Sequence, residues 1–577
     1  MLLLRTLSRR LCLSDSVHLR PYSTKLMTRV PIPEKMEIHL TDTESEICTL
    51  LDGCTKWMKE QHGVETSCRI AGGWVRDKLL GLQSNDIDVA LEQMMGLPFA
   101  EQFQTYCGSV KGVPIEKIAK VERNPDRSKH LETAKATVLD VEIDFVNLRS
   151  EEYAEDSRIP TQVAFGTPLQ DALRRDITIN ALFYNVHSRE VEDHTEKGLQ
   201  DLKAGIVRTP LPPKETFMDD PLRVIRCVRF ASRFGFQLVP ELREAARDPE
   251  IQHALRTKIS RERVGEELDK MMKGNNPLLS IELIDDLGLY TSIFYIPPTV
   301  APELSAPIGP SEVALAAAHI LTALLHPDGH FSSDLPPLHP LLMAAAAHEP
   351  STRPRLYLAC ALSPYRGLTY EDSKKKRHLA VEAAIREGTK LGAQNHYLDG
   401  IPALFSAADV LKNPTTGGED ERVRIGLLLR EKAVHNPHTG SFWATSVLFS
   451  LVQELTAFWD ASRKALDVAS ATPRIEAYNA FMRRIEELGL SSSVDARPLL
   501  DGNEVVRVLD AGRPGAWMNG VLARVIEWQL RHPEGTKAEC EEWLRGEHAA
   551  GRISFEVAPA KRVQNDGGAK QGKKAKK

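Results

Sequence analysis

The sequence predicts an α+β head, with a mixed sheet and flanking helices, followed by an all-helical remainder. Three observations predict it. Short alternating runs around 68–71, 86–91, 131–146 and 180–194 have the two-residue period of strands. Stretches at 46–62 and 168–177 read as helices that can cover such a sheet. Beyond Thr209 the chain is helix-patterned, punctuated by Pro-rich stretches at 297–310 and 335–340 and by NPTTGGED at 413–420. At 577 residues the chain is long enough for three or four domains. No run approaches the roughly 18 apolar residues of a membrane span, so membrane insertion is not expected. The eight cysteines stand singly with no C-x-x-C pair, which argues against a zinc site or a disulfide framework.

The first thirty residues carry Arg5, Arg9, Arg10, Arg20, Lys25 and Arg29 against Asp15 alone. This basic, amphipathic start reads as a mitochondrial presequence, with Arg20-Pro21-Tyr22-Ser23 resembling a matrix-protease site. We assign 1–36 to presequence and linker. Met27 and Met36 offer downstream starts that would leave a cytosolic or nuclear pool. Residues 559–577 hold seven basic residues against Asp566, and read as a disordered Lys-rich tail. The formal net charge is −5, and without the two basic ends it is −16. An acidic body can bind a polyanion only through a concentrated basic strip.

The stretch from Ala71 to Ala90 carries the densest chemistry. Gly72 and Gly73 follow the first strand and precede a helix over 74–80, a turn whose backbone N–H groups can cradle a triphosphate. Arg76 is placed to reach a phosphate. In the strand that follows, Asp86 and Asp88 share one face while Ile87, Val89 and Leu91 pack on the other. Two carboxylates so close call for a cation. Mg²⁺ takes carboxylate and phosphate oxygens together, and a two-metal site would clamp both the attacking and the leaving oxygen. The combination resembles the opening signature of the polymerase-beta-like nucleotidyltransferases.

Residues 108–135 are polar and Lys-rich, and read as a mobile loop beside this site. In the next strand Val141, Ile143 and Phe145 are apolar, so Glu142 and Asp144 share the opposite face. One of them, with Asp144 ahead, is a candidate third carboxylate; a plain polar sheet face is the alternative. Residues 219–236, DDPLRVIRCVRFASRFGF, place Arg223, Arg226, Arg229 and Arg233 at helical spacings. Arg229 and Arg233 read as a solvated basic face. Asp220 and Arg223, three apart, present an acceptor beside a donor. Such a pair matches the amine and ring nitrogen of cytosine or adenine and mismatches uracil and guanine.

The order AGGWVRD, NDIDVA, LRRDITINAL, DHTEKGLQDL, DDPLRVIRCVRFA and KISRERVGEEL, all within about 200 residues, resembles class II CCA-adding tRNA nucleotidyltransferases of the fungal mitochondrial type. The resemblance implies an α+β nucleotidyltransferase head over 37–208 and an all-α neck (209–290), body (291–490) and tRNA-binding tail (491–558). It implies template-independent addition of C, C and A to tRNA from CTP and ATP, with tRNA as partner and the enzyme as a monomer. It carries metal binding to Asp86 and Asp88, phosphate contacts to Gly73 and Arg76, and base and triphosphate contacts to Arg175, Asp220, Arg223 and Arg226. Arg174 joins Arg175 as a ribose and triphosphate clamp, whereas Asp176 and Asn180, four apart on one helix face, are read as structural. The loop stands where the family switches to A addition. In the last motif Arg261 is a candidate phosphate contact, and Glu262 and Glu266 read as helix-surface partners. Trp517, Trp528 and Trp543 are expected to be core anchors. Two other readings stay open: a relative adding only CC, only A or poly(A), and an RNA-binding protein with a dead head. Intact Asp86, Asp88, Arg175, Asp220 and Arg223 weigh against the last.

Overall fold

A computed structural model describes residues 29–115, 118–121, 133–153, 160–326 and 334–553. The expected presequence lies largely, the Lys-rich tail wholly, and the expected loop in part (116–117 and 122–132) outside the described residues.

The head is built on a seven-stranded mixed sheet. Its strands are β1 (Cys68–Ala71), β2 (Ile87–Leu91), β3 (Ile118–Val121), β4 (Thr133–Val138), β5 (Val141–Asn147), β8 (Phe183–Asn185) and β9 (Glu190–Glu192), in the order β3-β4-β5-β2-β1-β8-β9. A separate ribbon, β6 (Arg149–Tyr153) and β7 (Pro160–Phe165), follows β5. In the sheet β2 and β5 run parallel, and their register sets Asp88 directly opposite Asp144. All other pairings there are antiparallel. Ile87, Val89, Leu91, Ile143 and Phe145 face a core closed by α1 (Asp42–His62), α2 (Gly73–Leu79) and α3 (Gly96–Tyr106). The other face carries only a small cluster, Ala71, Ala90, Leu148, Ala172, Ala181 and Phe183. Side chains alternate across the sheet, so this thinly covered face is the one that bears Asp88 and Asp144.

Helix α1 starts earlier than expected because Thr41 and Glu44 form a capping box, and it ends where Gly63 turns left-handed. Glu44 has a second role. It accepts from Trp74 Nε1 at 3.2 Å and Lys78 Nζ at 2.7 Å, and so ties α1 to α2.

Several elements differ from the sequence reading. The expected strand 131–146 is two strands, because Leu139 and Asp140 adopt positive φ and reverse the chain. Within the expected loop, residues 107–111 form a π-helical turn and 118–121 form β3. The expected strand 180–194 is a short 3₁₀ turn and two short strands. The expected helix 168–177 stops early, as α4 (Pro168–Leu173). There the Asp176 side chain accepts from the Ile177 N–H at 2.9 Å, competing with the helical pattern.

Helices α5 (Gly198–Ala204), α6 (Pro213–Asp219), α7 (Leu222–Phe234), α8 (Pro240–Arg247), α9 (Pro249–Thr257) and α10 (Arg261–Lys273) lead away from the head. A two-residue parallel ribbon, 206–207 with 237–238, stitches α7 back to it. The remainder is helical apart from two small hairpins, Thr369–Glu371 with Arg377–Leu379 and Trp459–Asp460 with Ala465–Leu466. Asp372 and Asp460 build those turns by accepting backbone N–H groups of the residues that follow. The last three helices, within 502–549, enclose a cluster of their own. Trp528 is buried in it with Trp543 at 6.1 Å, and Trp517 packs on its edge. These tryptophans are anchors. The described cysteines are all buried and unpaired.

Gly96 opens α3 hard against β5. A Cβ there would collide with the Phe145 carbonyl and come within 3.2 Å of the Ala134 nitrogen, both of them backbone atoms of the sheet. We predict that Gly96→Ala costs about 1–3 kcal/mol by overpacking and lowers the thermal midpoint. Gly108→Ala, which meets nothing within 4 Å, should leave it unchanged.

Candidate functional site

Asp86 ends the turn before β2, Asp88 lies in β2, and Asp144 lies opposite it in β5. One oxygen from each comes within 4.8 Å of the other two. Burial first and the Asp86 charge second push the Asp88 carboxyl up to about 6, against the pull of Arg175 and Lys135. Three hard oxygen donors whose mutual repulsion a cation would relieve are a fitting set for a divalent metal ion. Of the two candidates for third carboxylate, the register favours Asp144. Glu142 is largely exposed and held by Lys135, which also reaches Asp144 at 3.0 Å.

Asp86 and Asp88 open onto a cavity of about 520 Å³. Gly72, Gly73, Arg76, Asp86, Asp88, Arg174, Arg175, Asp220, Arg223 and Arg226 all line it, although they come from distant parts of the chain. Nine arginines and four aspartates make up most of the wall, a composition suited to a polyphosphate held beside a cation. Gly72 sits at φ 73°, ψ −119°, which a side chain would not tolerate, and a Cβ there would lie 2.7 Å from the Arg175 guanidinium. Its own N–H is taken by the Leu182 carbonyl at 3.0 Å, so Gly73 and the first turn of α2 provide the open backbone.

Buried acids aim the arginines. Asp171 holds Arg174 and Arg175, and Arg175 also lies over the Phe183 ring, 5.0 Å from its centroid. Asp176 takes Arg226 at 2.6 Å and Asn180 at 3.0 Å. Burial alone would raise its pKa, but Arg226, Asn180 and Arg223 prevail and hold it at about 2. Glu267 on α10 holds Arg229, and Arg263 on α10 holds Asp220 at 2.8 Å.

Several expectations need correcting. Arg76 lines the cavity, but its side chain is 3 % exposed, held by Asp77 and Asn180, with its guanidinium over the Phe230 and Phe234 rings. Asp176 and Asn180 are structural, as expected, but not on a common helix. Asp220 precedes α7 rather than lying on it, and accepts from the Leu222 N–H at 3.2 Å. Arg223, in the first turn, donates to the carbonyls of Arg174 and Thr216. Arg229 is largely buried, with its side chain 11% exposed, whereas Arg233 stays 42% exposed on the helix. They pair with Glu267 and Asp77 and line the cavity. Arg261 is spent on the carbonyls of Gly388, Ser292 and Ile293, where it braces the chain instead of meeting a phosphate. The sequence reading missed Arg149, Asp171, Arg263 and Glu267. Only Asp171 had a local signal, its spacing of three and four to the two arginines.

A mixed-sheet head with converging carboxylates, facing an arginine-lined helical wall, defines a nucleotidyltransferase. A family model described as the poly A polymerase head domain matches residues 68–208, and one described as a probable RNA- and SrmB-binding site of polymerase A matches 235–305. The mitochondrial CCA tRNA nucleotidyltransferase of Saccharomyces cerevisiae is 36% identical over 87% of this chain and 92% of its own. That of Candida glabrata is 36% identical over 90% and 97%. The CCA-adding enzyme of Bacillus stearothermophilus, solved with CTP, shares the fold at a TM-score of 0.53 and 18% identity, covering 89% of this chain and 99% of its own. The chain belongs to the CCA tRNA nucleotidyltransferase family.

Asp176 joins the head to α7 through a buried charge. We predict that Asp176→Ala lowers stability by about 3 kcal/mol at pH 7, the low end for a broken buried pair, because Arg226 keeps only Glu267 at 3.7 Å. The folded pKa of about 2 lies below the ordinary 3.8. The aspartate's contribution is therefore complete above pH 4 and lost as pH falls toward 2. Denaturation curves of the two proteins should converge over that window.

Proposed function

We propose that this protein adds C, C and A to the 3′ ends of tRNAs, using CTP and ATP and no nucleic-acid template. The observation that carries the reading is that one cavity is lined both by Asp86 and Asp88 of the carboxylate cluster and by the Asp220–Arg223 pair. Asp86, Asp88 and Asp144 would hold Mg²⁺. When bound, that ion lowers the charge on the triphosphate and on the attacking 3′-oxygen. The arginines bind the triphosphate tail, with Arg175 beside the glycine turn and Arg174 and Arg226 lining the same cavity. Asp220 accepts from the base amine and Arg223 donates to the ring nitrogen. Arg263 fixes the direction of the Asp220 carboxylate, so that a base with the reversed pattern meets acceptor with acceptor.

The division into head (37–208), neck (209–290), body (291–490) and tail (491–558) is our reading as well. The separate core of the last three helices supports an independent tail. The mitochondrial names of the two fungal relatives support a mitochondrial location. We assign the protein to the matrix, with a second pool starting at Met27 or Met36. No helix among the described residues is long and apolar enough to cross a membrane.

The test supplies purified protein with a tRNA ending before CCA. CTP alone should extend it by two nucleotides, ATP alone should not yield the mature end, and both together should extend it by three. A product that stops after CC, or long A tracts from any RNA end, would replace this reading with a partial enzyme or a poly(A) polymerase. Asp88→Ala should lose both additions together, on the order of 100-fold or more. A second expectation concerns selectivity. Arg223→Ala should lower kcat/KM for CTP and ATP and narrow their advantage over UTP. Unchanged discrimination would place base reading elsewhere.

A further inference from the structure

Beside the cavity lies an apolar surface that the reaction described so far does not use. Phe165, at the end of β7, is 50% exposed, and Leu169, four residues on in α4, is 46% exposed. Among the described residues six large hydrophobic side chains are exposed to this degree, and Phe165 is the aromatic one. A large exposed ring is ordinarily a cost unless something covers it.

Its position says what could. Phe165 pairs directly with Arg149 across the β6–β7 ribbon. Directly opposed residues in an antiparallel pair project on the same side, about 5 Å apart. Arg149 lines the cavity, so the ring flanks the cavity at its Arg149 edge. The mounting is firm. Gly166 packs so closely that a Cβ would lie 2.5 Å from the Arg149 backbone, and its N–H donates to the Leu148 carbonyl at 3.0 Å. Asp171 on α4 accepts from the Arg149 N–H at 3.4 Å while holding Arg174 and Arg175. Ring, ribbon and arginine clamp are thus one unit.

The surroundings are cationic, and β5 leads from Asp144 straight into β6 and Arg149. An occupant that is flat and apolar on its face, carried on a polyanion and delivered next to the carboxylates is an unpaired nucleobase. We propose that Phe165, supported by Leu169, is a stacking shelf for the unpaired base next to the growing 3′ end of the acceptor RNA. The shelf rests on the tRNA-extension reading and adds to it a positioning residue that holds the RNA rather than the triphosphate. Stacking of this kind contributes on the order of 1–3 kcal/mol per base, equivalent to roughly 5- to 150-fold in affinity.

The experiment uses the full chain and a tRNA ending before CCA whose last base is 2-aminopurine. The fluorescence of that base should be quenched on binding to the wild type and to Phe165→Trp, and should stay high with Phe165→Ala. Steady-state kinetics should show KM for tRNA raised about tenfold in Phe165→Ala, with KM for CTP and the melting temperature unchanged, and rescue in Phe165→Trp. Retained quenching and an unchanged KM for tRNA in Phe165→Ala would overturn the shelf and leave the surface to another occupant. Equal weakening of tRNA and CTP would overturn it as well, by marking Phe165 as structural support. A wild type that binds and quenches this tRNA but extends nothing would sink the extension reading alone.

Discussion

Three carboxylates held within 4.8 Å of one another are the constraint to which the rest of the head answers. Like charges at that distance repel, and the strain shows in Asp88, whose carboxyl is pushed up to about 6 by burial and by Asp86. The convergence is imposed by backbone pairing. Parallel register between β2 and β5 sets Asp88 against Asp144, and the alternation of each strand commits Ile87, Val89, Ile143 and Phe145 to the core behind them. A slip of either strand by one residue would turn its carboxylate inward and break the cluster. The hydrophobic face therefore fixes the polar one, and the tight seat of Gly96 on β5 helps to keep that register.

The opposite wall solves the converse problem. Nine arginines in one cavity would repel as strongly, and buried acids hold them apart. Asp171 and Asp176 in the head and Glu267 in α10 each take one or two guanidinium groups and orient what remains. Asp176 and Arg226 matter most for architecture, since they join the sheet-bearing part of the chain to α7 by a buried charge pair. That same helix begins beside Asp220 and Arg223, the pair proposed to read the base. This pair thus ties the helix that follows Asp220 to the part of the chain that carries the carboxylate cluster.

The sequence made legible what depends on local spacing. Asp86 and Asp88, one strand step apart with apolar neighbours, could be read directly, as could the tryptophan anchors and the glycine turn. Glu142 and Asp144 could not be separated, because only the pairing of β5 with β2 decides which one faces the cluster. The arginines were recognised but their partners were not. Arg76 resembles a phosphate ligand in sequence, yet Phe230 and Phe234, more than 150 residues away, bury it. Arg263 and Glu267 carry no local signal, because only the packing of α10 along α7 brings them to Asp220 and Arg229. The helix ending at Leu173 and the hairpins at Asp372 and Asp460 were missed for another reason. There a single aspartate side chain competes with the regular backbone pattern, an effect too local for periodicity to show.

The claim on which everything else rests is that Asp86, Asp88 and Asp144 together hold the divalent ion. Crystals grown with Mn²⁺ and CTP, measured at the manganese absorption edge, test it directly. We expect anomalous density bridged by oxygens of all three side chains and by the triphosphate. Manganese bound elsewhere in the cavity, or density that persists unchanged in Asp144→Ala crystals, would contradict it.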